Sequence, residues 1–239
     1  MSLNKNKNKN KNKTFNKTGS SFPANGWDPA LEAVAELPNF FEIDGWRELP
    51  IDMPPGPAET VEELKELLNK QAKMQDPAER QIRLPEIQLE AQTDTPYYQR
   101  VLTPTPSGSF AATNVLIDAM SQLGAVVGCY YKKKFMRPRP SQLEPKLRPP
   151  IDVPAWASFP SGHALQNFLI AQALATVVHS DELTVQLFDI AQRVAENREF
   201  AGLHYESDTI AGKQLATVMF PMVLDAYRET FQSAAREWL

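Results

Sequence analysis

Three short stretches hold basic residues, a hydroxyl and two histidines at spacings suited to gripping a tetrahedral oxyanion. They are Lys132-x6-Arg139-Pro140, Pro160-Ser161-Gly162-His163 and Arg198-x5-His204-x3-Asp208. Arginine suits such an anion because its planar fork donates parallel hydrogen bonds. Ser161 and Gly162 precede an apolar helical run, and a helix start offers unpaired N–H groups and the positive end of its dipole to an anion. Gly162 lets an anion approach the backbone closely, and an imidazole such as His163 titrates near neutrality, where it can protonate a leaving oxygen. His204 and Asp208 are four apart and share one face if a helix begins near His204. Asp208 can then hold one imidazole nitrogen and leave the other as a nucleophile.

Each stretch also has a plain structural reading. Lys132, Lys133, Lys134, Arg137 and Arg139 could form a solvated basic face. Ser161 could be only a helix N-cap beside an exposed His163. His204 and Asp208 could be a structural pair. It is the combination, in this order and within one stretch of chain, that favours a shared site.

The three stretches resemble the three-part signature of the superfamily joining type-2 phosphatidic acid phosphatases, bacterial class A acid phosphatases and vanadium-dependent haloperoxidases. The resemblance runs from Lys132 to Asp208; Asn197 stands where the signature usually has serine. Arg137-Pro138 is a second Arg-Pro pair, but Tyr130 lies seven residues before it, so only Arg139 completes the spacing. The resemblance implies a helical bundle with the site at its middle. In a phosphatase of this kind His204 attacks phosphorus and forms a phosphohistidine, His163 protonates the departing alcohol, and Asp208 orients His204. Lys132, Arg139, Arg198 and the Ser161/Gly162 donors neutralise the phosphoryl oxygens, with no cofactor. In a haloperoxidase the cage holds vanadate on His204, and His163 helps activate bound peroxide. Trp156 lies seven residues before His163, where haloperoxidases carry a residue lining the halide pocket, and Ala164 follows the second stretch as in many of them. Packing beside the proline loop is the other reading of Trp156. The short chain favours the phosphatase, a hydrolase of small phosphorylated substrates. A protein that binds the oxyanion without the chemistry is the third reading.

The positioning elements read as helices. Thr60–Lys73 carries Val61, Leu64, Leu67 and Leu68 on one face, and Pro77 can open a helix running towards Gln88. Ser109–Lys134 carries the stripe Val115, Leu116, Met120, Leu123, Val127 and must stop before Pro138. Residues 138–160 hold seven prolines and read as an irregular loop. Beyond it, helices are expected at 161–178, about 182–200 and about 206–235, the last kinked near Pro221. Strand signals are scarce, so the expected fold is all-α, one helical-bundle domain over 26–239 behind a disordered Asn/Lys tail over 1–25.

The 239 residues carry a net charge of −4. Lys5, Lys7, Lys9, Lys11, Lys13 and Lys17 all precede the first acid, Asp28; without these six, 19 basic residues face 29 acidic ones. That balance argues against a nucleic-acid surface. The single cysteine, Cys129, excludes an intramolecular disulfide and reads as a buried small hydrophobe. His179 reads as a surface residue at a helix end, and no metal site is indicated. The longest apolar stretch, Phe168–Val178, is too short to span a bilayer, and the N-terminus lacks a signal-peptide core. The expectation is therefore no transmembrane segment and a soluble, cytoplasmic protein, or a periplasmic one if a signal was removed.

Overall fold

The computed structural model describes residues 28–93, 95–102 and 110–239. The Asn/Lys tail expected over 1–25 lies outside them. The described residues form helices and loops without strands, as the scarcity of strand signals requires. In chain order the helices are α1 (Pro29–Phe41), α2 (Pro57–Lys73), α3 (Pro77–Glu90), α4 (Thr95–Leu102), α5 (Ala111–Phe135), the single turn α6 (Pro140–Leu143), α7 (Gly162–Val177), α8 (Asp181–Phe200), α9 (Glu206–Ala226) and α10 (Arg228–Ala235).

Helix starts follow local chemistry. Asp28 and Asp76 cap α1 and α3 by accepting from Ala30 N and Ala78 N, each followed by a proline that needs no N–H partner. Ser161 and Ser180 cap α7 and α8 through Ala164 N and Leu183 N, both at 3.3 Å. α7 buries residues around its whole circumference, from Leu165, Phe168 and Leu169 to Ala173 and Leu174. A helix apolar all round belongs inside a bundle, and α7 is flanked by α5, α8 and α9. α1 and α10 cover α5, while α2 and α3 lie against α8.

The last expected helix is two. α9 runs through Pro221 and breaks at Tyr227 (φ −107°, ψ 26°), where α10 begins. Pro221 is exposed, so the carbonyl that loses its partner there can be hydrated. α1 and α4 lie outside the helices that the sequence pattern predicts.

Two expectations need correction. Cys129 is exposed, not buried. It sits beside exposed Ala125 and Val126 on the open side of α5, while Val127 and Tyr131 face the core. The expected absence of a transmembrane segment also fails. The segment Ala111–Leu143 is long and apolar enough to cross a membrane by length and composition, with 56% of its most apolar stretch buried within the bundle. Uninterrupted apolar runs miss it because Thr113, Asn114, Ser121 and Gln122 punctuate a helix whose single charge before Lys132 is Asp118. The expectation of a soluble chain loses its basis with it.

α9 approaches the start of α7 at Gly212. A Cβ there would lie 2.6 Å from Ser161 O and 3.1 Å from Leu165 N, both backbone atoms. Gly212→Ala must push the two helices apart and should lower stability by about 1–3 kcal/mol in chemical denaturation. An unchanged midpoint would show that the two helices separate without cost.

Candidate active site

Two of the three stretches are aimed by a chain reversal. α5 ends at Met136, in the left-handed region (φ 53°), whose N–H returns to Lys132 O at 2.9 Å. The turn sends Arg137 and Arg139 back across the end of α5. α8 ends in a Schellman motif: Gly202 (φ 69°) donates to Glu199 O at 2.8 Å and Leu203 N to Arg198 O at 3.0 Å. Gly202 thus turns the chain so that His204 follows Arg198 into the same region.

Lys132 is buried, and its ammonium donates to Ser158 O (2.7 Å) and Pro160 O (2.5 Å). Arg139 is buried and donates to Trp156 O (2.9 Å) and Leu203 O (3.0 Å), with Nη1 3.1 Å from His204 Nε2. Among the described residues neither cation is salt-bridged to a carboxylate. Arg198, fully buried, donates to Ile87 O at 2.9 Å and pairs with Glu90.

His204 Nδ1 lies 3.0 Å from Asp208 Oδ2. A carboxylate accepts, so Nδ1 carries the proton and Nε2 keeps its lone pair, towards which Arg139 donates. Burial, then Lys132, Arg139, His163 and Arg198, hold the His204 ring well below its ordinary basicity, so it is neutral. Asp208 is fully buried: Oδ1 accepts from Arg137 Nη1 at 2.7 Å, and Oδ2 also accepts from Tyr205 N at 3.2 Å. α9 begins only at Glu206, so His204 meets Asp208 from just before the helix.

His204, Lys132, Arg139, Gly162 and His163 line one small cavity of about 120 Å³. Ser161 and Arg198 are buried and do not line it; Ser161 N donates to Asp208 O at 2.8 Å. His163 Nε2 lies 3.0 Å from Glu90 O. Trp156 is 59% exposed. It borders this cavity and a wider groove of about 600 Å³ shared with Cys129 and Met136. His179 is exposed between α7 and α8.

Several residues that hold the site escape the sequence. Arg137 enters it only as a rejected alternative for Arg139. It instead joins Asp208 to Glu63 Oε2 (2.6 Å) and lies over the Tyr205 ring at 3.7 Å. Glu63 Oε1 accepts from Ser207 N (2.9 Å) and Oγ (2.6 Å) at the start of α9. Asn197 uses both ends of its amide, accepting from Arg83 Nη1 (2.8 Å) and donating to Glu86 (2.9 Å) and Glu90 (2.7 Å). A serine has no such reach. Arg137 stands beside a proline within the basic run, a signal that could have found it; no local signal marks Glu63.

No protein-family model matches the chain, and no curated protein matches it in sequence. Among solved structures it is similar to the first transmembrane PAP2 type phosphatidylglycerolphosphate phosphatase from Bacillus subtilis, at 16% identity and a TM-score of 0.51. The match covers 84% of this chain and 96% of that one. The likeness shows that the chain shares that protein's all-α fold.

Arg137→Met would leave Asp208 and Glu63 buried or half-buried without their cation, and should cost about 3–5 kcal/mol in chemical denaturation. A cost below about 1 kcal/mol, the range of an exposed pair, would contradict that role. His204 has a folded basicity well below its ordinary 6.5, so below that pH the unfolded chain binds a proton that the folded one does not. The stability it contributes is present above about 6.5 and lost as pH falls. Melting temperatures should therefore drop less between neutral and mildly acidic pH in His204→Gln than in the wild type; an equal drop would mean that the folded ring protonates normally.

Proposed function

We propose that the chain is a phosphoric monoester hydrolase working through a phosphohistidine on His204. One observation carries this: two buried cations, Lys132 and Arg139, held by carbonyls and not by carboxylates, converge beside a neutral imidazole whose second nitrogen is fixed by Asp208. Burying cations without carboxylates is costly, and a phosphoryl group supplies the missing charge. The fold shared with a PAP2 type phosphatase supports the same reading, as does the order of the three motifs.

In the first step the His204 Nε2 lone pair attacks phosphorus while the bond to the leaving oxygen breaks. His163 gives that oxygen a proton. Lys132, Arg139, Arg198 and the N–H groups at the start of α7 stabilise the charge on the equatorial oxygens. Asp208 stabilises the ring as it becomes cationic. Water then attacks the phosphohistidine, giving its proton to His163, and the P–N bond breaks to release phosphate. Neither step requires a metal or an organic cofactor.

A vanadate-loaded haloperoxidase remains the second reading, carried by Trp156 at the rim of the same cavity. Vanadate would occupy the place of phosphate, bound at His204 Nε2.

Hydrolysis of an aryl phosphate tests the first reading. His204→Ala should reduce turnover to background, and vanadate should inhibit the wild type competitively. Arg139→Ala should weaken vanadate by about 1.5–3 kcal/mol. Unchanged turnover in His204→Ala would end the mechanism, and non-competitive inhibition would place the two anions at separate sites. Vanadate binding with neither hydrolysis nor peroxide-driven bromide oxidation would leave an oxyanion-binding protein.

A further inference from the structure

Glu90 touches two of the three motifs from a helix that carries none of them. Its Oε1 accepts from Asn197 Nδ2 at 2.7 Å, its Oε2 pairs with Arg198 Nη2, and its backbone carbonyl lies 3.0 Å from His163 Nε2. It is the last residue of α3 and is 3% exposed. Carbonyls in the last turn of a helix lack intrahelical partners, so this one is available to a side chain. A carbonyl only accepts, and the His163 nitrogen facing it therefore carries a proton. The ring also meets the negative end of the α3 dipole, which suits an imidazole that cycles through its cationic form.

The carboxylate is what fixes that carbonyl in place. With both oxygens engaged by α8, the end of α3 is locked to Arg198 and Asn197, and Arg83 and Glu86 of α3 hold Asn197 as well. One residue thereby sets the relative position of a cation of the cage and of the proton donor.

We propose that Glu90 is a positioning residue of this site: its carboxylate orients Arg198, and its carbonyl orients His163 for proton transfer to the leaving oxygen. The inference rests on the phosphatase reading above. It assigns a role on α3, outside the three stretches, and it explains why asparagine occupies position 197, since only a side chain of that reach joins Glu90, Glu86 and Arg83 at once.

Glu90→Gln tests it. The amide keeps the shape but turns a donor towards either Arg198 or Asn197, so one of the two bonds is lost. The readout is kcat/KM for an aryl phosphate, whose leaving group departs without a proton, against an alkyl phosphate, whose leaving group needs one. Glu90→Gln should lose at least about tenfold more on the alkyl ester than on the aryl ester, as general-acid catalysis fails. Asn197→Ala, which keeps the Glu90–Arg198 pair, should show the same bias more weakly and serves if Glu90→Gln does not fold. Equal loss on both esters by folded protein, or no loss, would overturn the inference and leave Glu90 a packing residue. A wild type that hydrolyses neither ester would end the phosphatase reading itself. Calorimetry with inorganic phosphate would then decide the part concerning Arg198: binding roughly tenfold weaker in Glu90→Gln supports it, and unchanged binding overturns it.

Discussion

The buried carboxylate of Asp208 is the junction on which this structure depends. It accepts from Arg137, from His204 and from Tyr205 N, and its backbone carbonyl accepts from Ser161 N. Those bonds tie the end of α5, the start of α7 and the start of α9 together at one point. Arg137 extends the tie to α2 through Glu63. A carboxylate this deep is costly in isolation, and burial pushes its pKa up, with Arg137 foremost among the groups opposing the shift. The arrangement is therefore all-or-none: with Arg137 in place Asp208 can remain charged, and while it is charged His204 keeps one tautomer.

The cations follow from that junction. Arg137 is compensated by Asp208 and Glu63, and Arg198 by Glu90. Lys132 and Arg139 are held by carbonyls instead; burial pushes their pKa values down, to about 7 and about 10, and Arg139 lies beside His204 Nε2. Burial above all, with their charge added to it, keeps the ring neutral, and the charge attracts an anion to it. α7, buried on every side, supplies the rigid floor, and Gly212 lets α9 close against it.

Much of this was legible in the sequence. The caps and apolar stripes placed α2, α3, α5, α7 and α8 within a few residues, because proline, serine and the helical period act locally. The site stretches were legible because motif spacing fixes backbone geometry at a helix end. Glu63 and Glu90 were not, since an acid on an amphipathic helix looks the same whether it meets solvent or a buried arginine. Spacing alone favours Arg139 over Arg137, yet Arg137 holds the junction. The apolar neighbours of Cys129 are a poor guide to its burial, because Val126 and Val127 fall on opposite sides of α5, one exposed and one buried. The apolar length of Ala111–Leu143 was missed because isolated small polar residues interrupt it.

Trapping the covalent intermediate tests the central claim most directly. Wild-type protein is mixed with a phosphate monoester labelled in its phosphoryl group, quenched in alkali within its first turnovers, digested and mapped by mass spectrometry. The account predicts an acid-labile, alkali-stable phosphoryl group on His204 alone. A label on Ser161 or on His163, or hydrolysis with no label on the protein, would contradict it.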